Sequence, residues 1–329
     1  MKQYAVVKIF LTGANGLVGS FVLKQLISEG HEAILLLRPH ANTEAISEIL
    51  PSCETVQGDL FDIGLLAKAM ETCDAVVHCA GKVSFDPRKT AEIYETNVQG
   101  TANVVNACLL AGIKKLVHVS SIAALGRKDN ATVIDEKAKW EDGALNSPYA
   151  KSKYLAELEV FRGAEEGLDI SIVNPSIVIG PGDEHRSSTK LLAWVKKMPW
   201  FYPKGYVNIV DVRDVANSIC QLLILWHPNR LILNSSTISY KDFYSILCQA
   251  LGFKGKMYCL PTFLLRCIAF LHSIKRFFTG GEPLLTRESI KLINKKHEYK
   301  SLYYNTLMEK KLTPPEESIS WALKKMYNK

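Results

Sequence analysis

The sequence lacks the features that would point to a membrane-spanning, metal-binding or disulfide-rich protein. Its 329 residues contain no apolar run of about 18 residues, so no membrane-spanning helix is predicted. The eight cysteines are scattered, with no Cys-x-x-Cys pair and no metal-ligand spacing. The first apolar stretch runs into a glycine-rich loop rather than a signal-peptide cleavage site. Together these absences predict a reduced, cytoplasmic protein that holds no metal.

Strand-like and helix-like patterns alternate through the first half of the chain. We predict strands near 5–11, 33–38, 54–57, 74–79, 115–120 and 169–174, and helices near 17–29, 61–70, 88–111 and 147–166. Such alternation is typical of an α/β fold, in which a doubly wound parallel sheet carries helices on both faces. From about residue 181 the alternation stops, although Val207–Val210 still resembles a strand.

A glycine-rich loop, Gly13-x-x-Gly16-x-x-Gly19, follows the first predicted strand and leads into the first predicted helix. Glycine permits a tight turn and a close approach of the backbone to a pyrophosphate, while the helix N-terminus attracts the anion. The spacing differs from the common Gly-x-Gly-x-x-Gly, so the loop alone also fits a βα turn without a ligand. With a strand before it and a helix after it, the loop predicts a dinucleotide site.

Tyr149 and Lys153 are four residues apart at the start of a predicted helix. Ser147 is suited to the N-cap and Pro148 to the first helical position, where no amide donor is needed. The spacing places the phenol and the ammonium on one face, whereas Lys151 points elsewhere. An ammonium near a phenol lowers its pKa from about 10 and makes it a usable general acid or base. Seen alone, the pattern fits an ordinary amphipathic helix better.

Several further motifs follow the glycine loop in a fixed order. They are Gly58-Asp59-Leu60, His78-Cys79-Ala80-Gly81, Asn97-Val98-Gln99-Gly100-Thr101, Ser120-Ser121, Tyr149-x-x-x-Lys153, and Pro175 with Gly180-Pro181-Gly182. With this series the chain resembles the extended short-chain dehydrogenase/reductase family, within the NAD-dependent epimerase/dehydratase superfamily. Its nearest likeness there is to dihydroflavonol-reductase-like and 3β-hydroxysteroid-dehydrogenase-like members.

The resemblance implies a division into two parts and a set of residue roles. Residues 1–180 would form a Rossmann-type dinucleotide-binding domain and 181–329 mainly a smaller substrate-binding lobe, with the chain crossing between them. Tyr149 would donate or remove a proton, Lys153 would lower the pKa of Tyr149 and bind the nicotinamide ribose, and Ser121 would hold the carbonyl oxygen. Ser120 is the competing serine. Asn97 would order the backbone and a relay water, or only cap a neighbouring turn.

The same resemblance implies the residues that contact the cofactor. They are Gly13, Asn15, Gly16, Leu17, Val18, Gly19, Arg38, Asp59, Leu60, Cys79, Ala80, Gly81, Lys153, Pro175 and Ile177. Asp59 would lie near the adenine amino group, although it could instead cap the helix that follows it.

The end of the second strand bears on cofactor choice. An enzyme that prefers NAD usually has an acidic residue here for the ribose hydroxyls, but this chain has Leu37-Arg38-Pro39-His40. A guanidinium suits a 2′-phosphate, so we favour NADP(H) with Arg38 on the phosphate and leave NAD(H) open. The alternative is a solvated arginine at a strand end.

Departures from the nucleotide-sugar enzymes narrow the function. Ile122 and Ala123 occupy the places of an Asp-Glu pair that dehydratases use, and Asn174 and Ile177 replace an Arg and Asn common in nucleotide-sugar enzymes. We therefore predict an NADP(H)-dependent oxidoreductase that interconverts a carbonyl and an alcohol on a small, apolar substrate. The alternatives are a nucleotide-sugar epimerase with tightly bound NAD and a non-catalytic NAD(P)-binding sensor.

Positive charge is concentrated at the carboxyl end. Residues 252–329 contain 15 Lys and Arg against 6 Asp and Glu, whereas the rest of the chain is slightly acidic. Residues 261–278 read as an amphipathic helix, which would contact an anionic membrane surface, cover the substrate pocket as a lid, or pack on the lobe. Nucleic acid is not predicted, and a homodimer stays open. The predicted apolar stripe is Leu264, Cys267, Ile268, Leu271, Ile274 and Phe278, opposite Arg266, Ser273 and Arg276.

Overall fold

The computed structural model describes residues 6–127, 133–184, 188–225, 230–279, 287–293, 295–308 and 310–327. For residues 271–279 and 287–289 only the backbone is described. The strands, in chain order, are β1 (Lys8–Thr12), β2 (Glu32–Leu37), β3 (Glu54–Gln57), β4 (Ala75–His78), β5 (Lys115–Val119), β6 (Val133–Ile134), β7 (Asp169–Pro175), β8 (Ile177–Ile179), β9 (Phe201–Pro203), β10 (Tyr206–Asp211), β11 (Arg230–Leu233), β12 (Ser236–Ser239), β13 (Tyr258–Leu260) and β14 (Glu298–Tyr299).

The helices alternate with the strands in the first half and dominate the second. They are α1 (Leu17–Ser28), α2 (Ile63–Met70), α3 (Thr90–Tyr94), α4 (Gly100–Leu110), α5 (Pro148–Glu165), α6 (Thr189–Lys197), α7 (Val212–Ile224), α8 (Tyr240–Ala250), α9 (Thr262–Thr279), α10 (Arg287–Ile293), α11 (Tyr304–Leu307) and α12 (Pro315–Tyr327). A π-helical turn, Glu95–Gln99, joins α3 to α4.

Seven parallel strands form the main sheet in the order β11-β7-β5-β4-β1-β2-β3. The order reverses at β1, which pairs with β2 on one side and with β4 on the other. The loops that leave β1 and β4 therefore diverge to opposite faces of the sheet and leave a crevice at its carboxyl edge, where α/β proteins bind ligands. The predicted doubly wound Rossmann-type α/β fold is confirmed.

Alternate residues of the buried strands pack into two hydrophobic layers, one on each face of the main sheet. In β1, Ile9 and Leu11 face the layer that holds Val22 and Leu26 of α1, whereas Phe10 faces the opposite layer with Leu66 of α2. Because both faces are covered, the strands read as continuous apolar runs rather than as alternating ones. This is why the sequence pattern placed most of these strands within two residues.

The second half of the chain does not form a separate body in sequence order. The strand β8 already belongs to a small sheet of order β12-β10-β8, whose β10 contains the predicted strand Val207–Val210. The chain then returns to the main sheet, because α7 packs on α1 and β11 extends the sheet beyond β7. The residues after β11 complete a smaller lobe around Phe243, Tyr244 and Ile319.

The helix α9 covers the predicted amphipathic segment, but the predicted stripe is wrong in its described part. Leu265 and Ala269 are the buried residues, packed with Leu260 and Ile290. Leu264 and Cys267 are exposed, and Ile268 is half-buried. The side chains of the other predicted stripe residues, and of Ser273 and Arg276 opposite, lie outside the described part. No helix in the described part of the chain is both long enough and apolar enough to cross a bilayer.

Candidate active site

The glycine loop is folded so tightly that side chains at two of its positions would collide with backbone. Gly13 has a φ of +72°, and a Cβ there would lie 2.6 Å from the Ala80 amide nitrogen. A Cβ on Gly19 would lie 2.1 Å from the carbonyl oxygen of Gly13, which also accepts a hydrogen bond from the Gly16 amide at 3.0 Å. The loop therefore packs directly against the residues that follow β4, as a dinucleotide-binding turn requires.

The amino end of α1 fits an anionic group. Gly16 occupies the N-cap and supplies no side-chain hydrogen bond, so the first-turn amides are not capped from that position. Asn15 turns away, since its Nδ2 donates to the Asn42 carbonyl oxygen at 3.0 Å. Of the other predicted contacts, Leu17 approaches Gly180 and Gly182, and Val18 packs on the main core.

Arg38 lies immediately after β2, at the edge of the crevice. The residue is exposed, and its side chain has no hydrogen-bond or ion-pair partner among the described residues. A turn follows, in which the Ala41 amide donates to the Arg38 carbonyl oxygen at 3.1 Å and His40 adopts a φ of +58°. This turn ends β2 immediately after Arg38.

Asp59 follows β3 on the same side and is also exposed. Its Oδ1 accepts a hydrogen bond from the Phe61 amide at 2.8 Å, which closes a turn before α2. The cap of α2 is instead Asp62, whose Oδ1 accepts from the Leu65 amide at 2.9 Å. The alternative in which Asp59 caps the helix is therefore wrong. Leu60 is buried and approaches the Cα of Gly100 on α4.

The residues after β4 connect the glycine loop to Lys153. The Cys79 amide donates to the Thr12 carbonyl oxygen at 3.1 Å, and the Ala80 amide donates to Thr12 Oγ1 at 3.2 Å. Burial raises the pKa of the Cys79 thiol to about 12, so the thiol is neutral and is not a nucleophile at neutral pH. A Cβ on Gly81 would lie 3.4 Å from Asn97 Oδ1 and 3.9 Å from Lys153 Nζ.

Asn97 lies in the π-helical turn, and its buried amide braces the loop after Gly81. Its Oδ1 accepts from the Lys82 amide at 2.7 Å, while its Nδ2 donates to the Lys82 carbonyl oxygen at 2.9 Å and to Ser152 Oγ at 3.0 Å. The wider turn is a common feature of functional sites. Of the two interpretations of Asn97, the geometry fits the ordering of neighbouring backbone.

The two adjacent serines after β5 have different partners. Ser120 is buried, and its Oγ donates to Glu157 Oε1 at 2.5 Å. Ser121 is half-buried and caps a 3₁₀ turn, since its Oγ accepts from the Ala123 amide at 3.2 Å. The Ser121 hydroxyl also lies close enough to the Tyr149 side chain to lower the pKa of Tyr149. The structure therefore brings Ser121, and not Ser120, to the predicted tyrosine.

Tyr149 is the second residue of α5, which begins as the sequence predicts. Ser147 Oγ accepts a hydrogen bond from the Ala150 amide at 3.2 Å, and Pro148 occupies the first helical position. Burial raises the pKa of Tyr149 above its usual value, and the nearby Ser121 hydroxyl and the charge of Arg127 only partly oppose that rise. The predicted lowering of this pKa by Lys153 is not found.

Lys153 is buried one turn further along α5, where its Nζ donates to the Val119 carbonyl oxygen at 2.9 Å. Burial lowers the pKa of the ammonium to about 8, although the nearby Glu157 and Cys79 favour the charged form. The ammonium therefore stays largely protonated at neutral pH. The Lys153 ammonium lies beside Gly81, under the crevice.

A buried polar network that the sequence did not reveal supports α5. Glu157 Oε1 accepts from Asn174 Nδ2 at 2.6 Å, and Glu157 Oε2 accepts from Arg230 Nε at 2.6 Å. Asn174 Nδ2 also donates to the Ser121 carbonyl oxygen at 3.0 Å. The network links α5, β7 and β11 beneath the Ser121 backbone. Arg230 is 73 residues from Glu157, so no local pattern could have paired them.

Apolar side chains lie on the open side of Tyr149. The Phe85 ring meets the Tyr149 ring edge-on, with 5.9 Å between centroids, and both Phe85 and Val83 are exposed. These residues belong to the loop that Asn97 holds in place. They were not predicted from the sequence; the only sign of them in the sequence is that two apolar residues follow the His78–Gly81 motif closely. On the opposite side, Pro175 ends β7 and the half-buried Ile177 begins β8, where the chain leaves the main sheet.

Comparison with known proteins shows the family of this chain. A family model described as the NAD dependent epimerase/dehydratase family matches residues 9–223. The chain belongs to this family. It is 29% identical over 325 residues to a protein of Synechocystis sp. provisionally named dihydroflavonol 4-reductase, covering 95% of this chain and 92% of that one.

Two further relatives extend the comparison. A Dictyostelium discoideum protein named sterol-4-alpha-carboxylate 3-dehydrogenase, decarboxylating, is 24% identical over 297 residues, covering 86% of this chain and 89% of its own. The crystal structure of gox2253 superposes with a TM-score of 0.80 at 30% identity and covers 96% of each chain. The predicted resemblance and the assignment as an NAD(P)-dependent oxidoreductase are confirmed at this level.

Proposed function

We propose that the chain is an NADP(H)-dependent oxidoreductase that interconverts a carbonyl and an alcohol on a small, apolar substrate. The observation that carries this proposal is the placement of the Ser121 and Tyr149 hydroxyls close together at the crevice, with the buried ammonium of Lys153 beside Gly81. A hydroxyl pair at this place can hold and protonate one carbonyl oxygen. The family membership agrees with this chemistry but leaves the substrate open.

The bound cofactor would supply or accept the hydride, and the chain's own residues would handle the proton and the oxygen. Tyr149 gives its hydroxyl proton to the substrate oxygen during reduction, or takes one during oxidation. Ser121 donates a hydrogen bond to the same oxygen and stabilises the charge that develops on it. Since burial raises the pKa of Tyr149, the tyrosine is protonated at neutral pH and is ready to act as an acid.

Lys153 would act from beneath these two residues. Its position beside Gly81 suits a hydrogen bond to the ribose of a bound nicotinamide nucleotide. Its Nζ donates one hydrogen bond to the Val119 carbonyl oxygen, and the ammonium has two further donors that could reach the ribose.

The choice of NADP(H) rests on Arg38. Its guanidinium is exposed at the end of β2, and neither Pro39 nor His40 supplies the carboxylate that would accept hydrogen bonds from ribose hydroxyls. A free guanidinium pairs well with a 2′-phosphate. Asp59 would lie near the adenine amino group of the bound cofactor.

The apolar substrate rests on Phe85 and Val83. The exposed Phe85 ring contacts Tyr149, and Val83 is exposed two residues earlier in the same loop, whereas a sugar or a nucleotide would require polar partners. One relative is named as a sterol-4-alpha-carboxylate 3-dehydrogenase, and a sterol substrate of that protein agrees with an apolar substrate here. Ile122 and Ala123, at the places of the dehydratase acids, are buried and supply no acid–base group.

The test combines cofactor binding with turnover. Calorimetry should show tighter binding of NADPH than of NADH, and purified protein should oxidise NADPH in the presence of apolar ketones or aldehydes. Tyr149→Phe should abolish turnover while sparing NADPH binding. Tyr154→Phe is the matched control, because Tyr154 is on the same helix but stacks on Trp140, with 4.6 Å between ring centroids.

The other outcomes identify the alternatives. Retention of tightly bound NAD through purification, with no net cofactor consumption, would indicate an epimerase. Cofactor binding without turnover of any carbonyl, and with Tyr149→Phe unchanged in function, would indicate a sensor.

A further inference from the structure

Exposed aromatic rings cluster on one side of the smaller lobe, far along the chain from the crevice residues. Tyr258 is 57% exposed, Phe263 62% and Phe270 56%, and Trp200 and Phe201 are also exposed. We call these five residues the aromatic surface. Rings of this size are normally buried, and an exposed apolar cluster usually marks an interaction site.

The members of the aromatic surface are held together by a two-stranded sheet and the helix that follows it. The parallel strands β9 and β13 pair Phe201 with Tyr258, whose ring centroids are 6.3 Å apart. The Tyr258 amide donates to the Trp200 carbonyl oxygen at 2.7 Å. The helix α9 begins two residues after β13 and packs Leu265 against Leu260 at the end of that strand.

The helix α9 turns an apolar face outward. Leu265 and Ala269 point inward, whereas Phe263, Cys267 and Phe270 are exposed at a spacing of four and then three residues. That spacing places the three on one face of the helix. The helix α9 follows β13 after a single residue and packs on Leu260 through its buried face, so its exposed rings and those of β9 and β13 belong to neighbouring elements.

The two chain segments that carry the aromatic surface are basic. The segments 196–208 and 251–270, which contribute all five aromatic residues, contain no Asp or Glu. Their exposed cations are Lys196, Lys197, Lys204, Lys254, Lys256 and Arg266. A second copy of the chain would bring like charges together, which opposes association. An extended anionic surface with an apolar interior would attract these cations and could also accommodate the aromatic side chains.

We propose that the aromatic surface docks on an anionic lipid bilayer. The rings enter the boundary between headgroups and acyl chains, as aromatic residues do at membrane interfaces, while the lysines and Arg266 contact lipid phosphates. Phe263 and Phe270 are the exposed rings of α9, and Lys254 and Lys256 lie on the loop that leads into β13. This inference stands independently of the enzymatic proposal.

The experiment is co-sedimentation of the full chain with lipid vesicles. Wild-type protein should bind vesicles of phosphatidylcholine with roughly a third of phosphatidylglycerol, bind pure phosphatidylcholine at least about tenfold more weakly, and dissociate as salt is raised. The double variant Phe263→Ser, Phe270→Ser and the double variant Lys254→Glu, Lys256→Glu should each weaken binding by about tenfold or more. Leu110→Ser is the matched control, because Leu110 is exposed on α4 in the other half.

Circular dichroism and thermal midpoints establish that each variant is folded before binding is compared. If folded wild-type protein does not bind the anionic vesicles, the proposal is wrong. It is also wrong if neither double variant weakens binding. A dimer that the Phe263 and Phe270 variant converts to monomer, without vesicle binding by the wild type, would make this surface an interface between copies.

Discussion

Ser120 donates a hydrogen bond to Glu157, with 2.5 Å between Oγ and Oε1, whereas the hydroxyl of the adjacent Ser121 lies close to Tyr149 and lowers its pKa. Successive residues of an extended segment point to opposite sides, so one serine enters the buried network and the other reaches the crevice. The sequence alone does not show which of the two serines is buried and which faces the crevice. The separation of the two serines leads to the first prediction.

Ser121→Ala should lower kcat for carbonyl reduction by about 10²–10³, because a hydrogen bond to the developing oxyanion is lost. Ser120→Ala should leave kcat within a few-fold and lower the free energy of unfolding by about 1–3 kcal/mol, because the buried Glu157 loses a donor. Steady-state kinetics and urea unfolding of both variants measure the two effects. If Ser120→Ala lost kcat and Ser121→Ala lost only stability, Ser120 would be the catalytic serine and Ser121 the structural one.

Arg38→Ala should raise the Kd for NADPH by about tenfold to a hundredfold, since a charge-assisted contact to the 2′-phosphate is lost. The Kd for NADH should change little. Arg38→Lys keeps the charge without the bidentate geometry and should lie between the two. Calorimetric titration with both nucleotides measures this difference. Equal losses for NADPH and NADH would mean that Arg38 does not contact the phosphate.

The pKa of Lys153 is about 8 in the folded protein, against about 10.5 for an exposed lysine. Between these values the unfolded chain binds more protons, so the contribution of Lys153 to stability increases as pH rises from about 8 to about 10.5. The free energy of unfolding of wild type, relative to Lys153→Met, should therefore increase with pH by at most about 1.4 kcal/mol per unit. Urea unfolding between neutral pH and about pH 10 measures this. Parallel curves for the two proteins would contradict the lowered pKa.

His118 is a second buried titratable group, opposite His78 in the sheet with 5.2 Å between ring centroids. Neither of its ring nitrogens has a hydrogen-bond partner among the described residues, and burial holds its pKa well below 6.5. The folded state therefore keeps His118 neutral, and stability is lost as pH falls below about 6.5 because the unfolded chain takes up the proton.

His118→Phe should accordingly be at least as stable as wild type at neutral pH, since it removes unpaired polar atoms. It should lose less stability as pH falls from about 6.5, although His78, whose pKa burial lowers to about 3, retains part of the dependence. Thermal denaturation across this range measures the effect. His40→Asn is the control, because His40 is exposed and should behave as wild type. An identical acid dependence in His118→Phe would contradict this account.

Much of the fold follows from the sequence because both faces of the main sheet are covered. Continuous apolar runs marked β1, β2 and β5, and the serine and proline before Tyr149 marked the start of α5. The seventh strand, β11, was missed because four residues between a helix and a turn carry too little pattern. Its place in the sheet depends on its pairing with β7, which local sequence does not encode.

The candidate site was predictable in its residues but not in its electrostatics. The order of motifs indicated Tyr149, Lys153 and Ser121, yet not that Lys153 would donate to the Val119 carbonyl oxygen. The pKa of Tyr149 depends on burial by parts of the chain distant in sequence, so helical spacing alone gave the wrong direction. The inward stripe of α9 was likewise displaced by one residue, because the apolar residues of this helix nearly encircle it.

The π-helical turn at Glu95–Gln99 places two helices of different phase in one continuous rod. Each residue of an α-helix advances about 100° around the axis, and the wider turn absorbs one extra residue. Deleting a single residue here would restore one phase throughout, but it would rotate Asn97 away from Lys82 or move Gly100 off Leu60. A less regular helix is thus the means by which the same rod both anchors a loop and packs against the core.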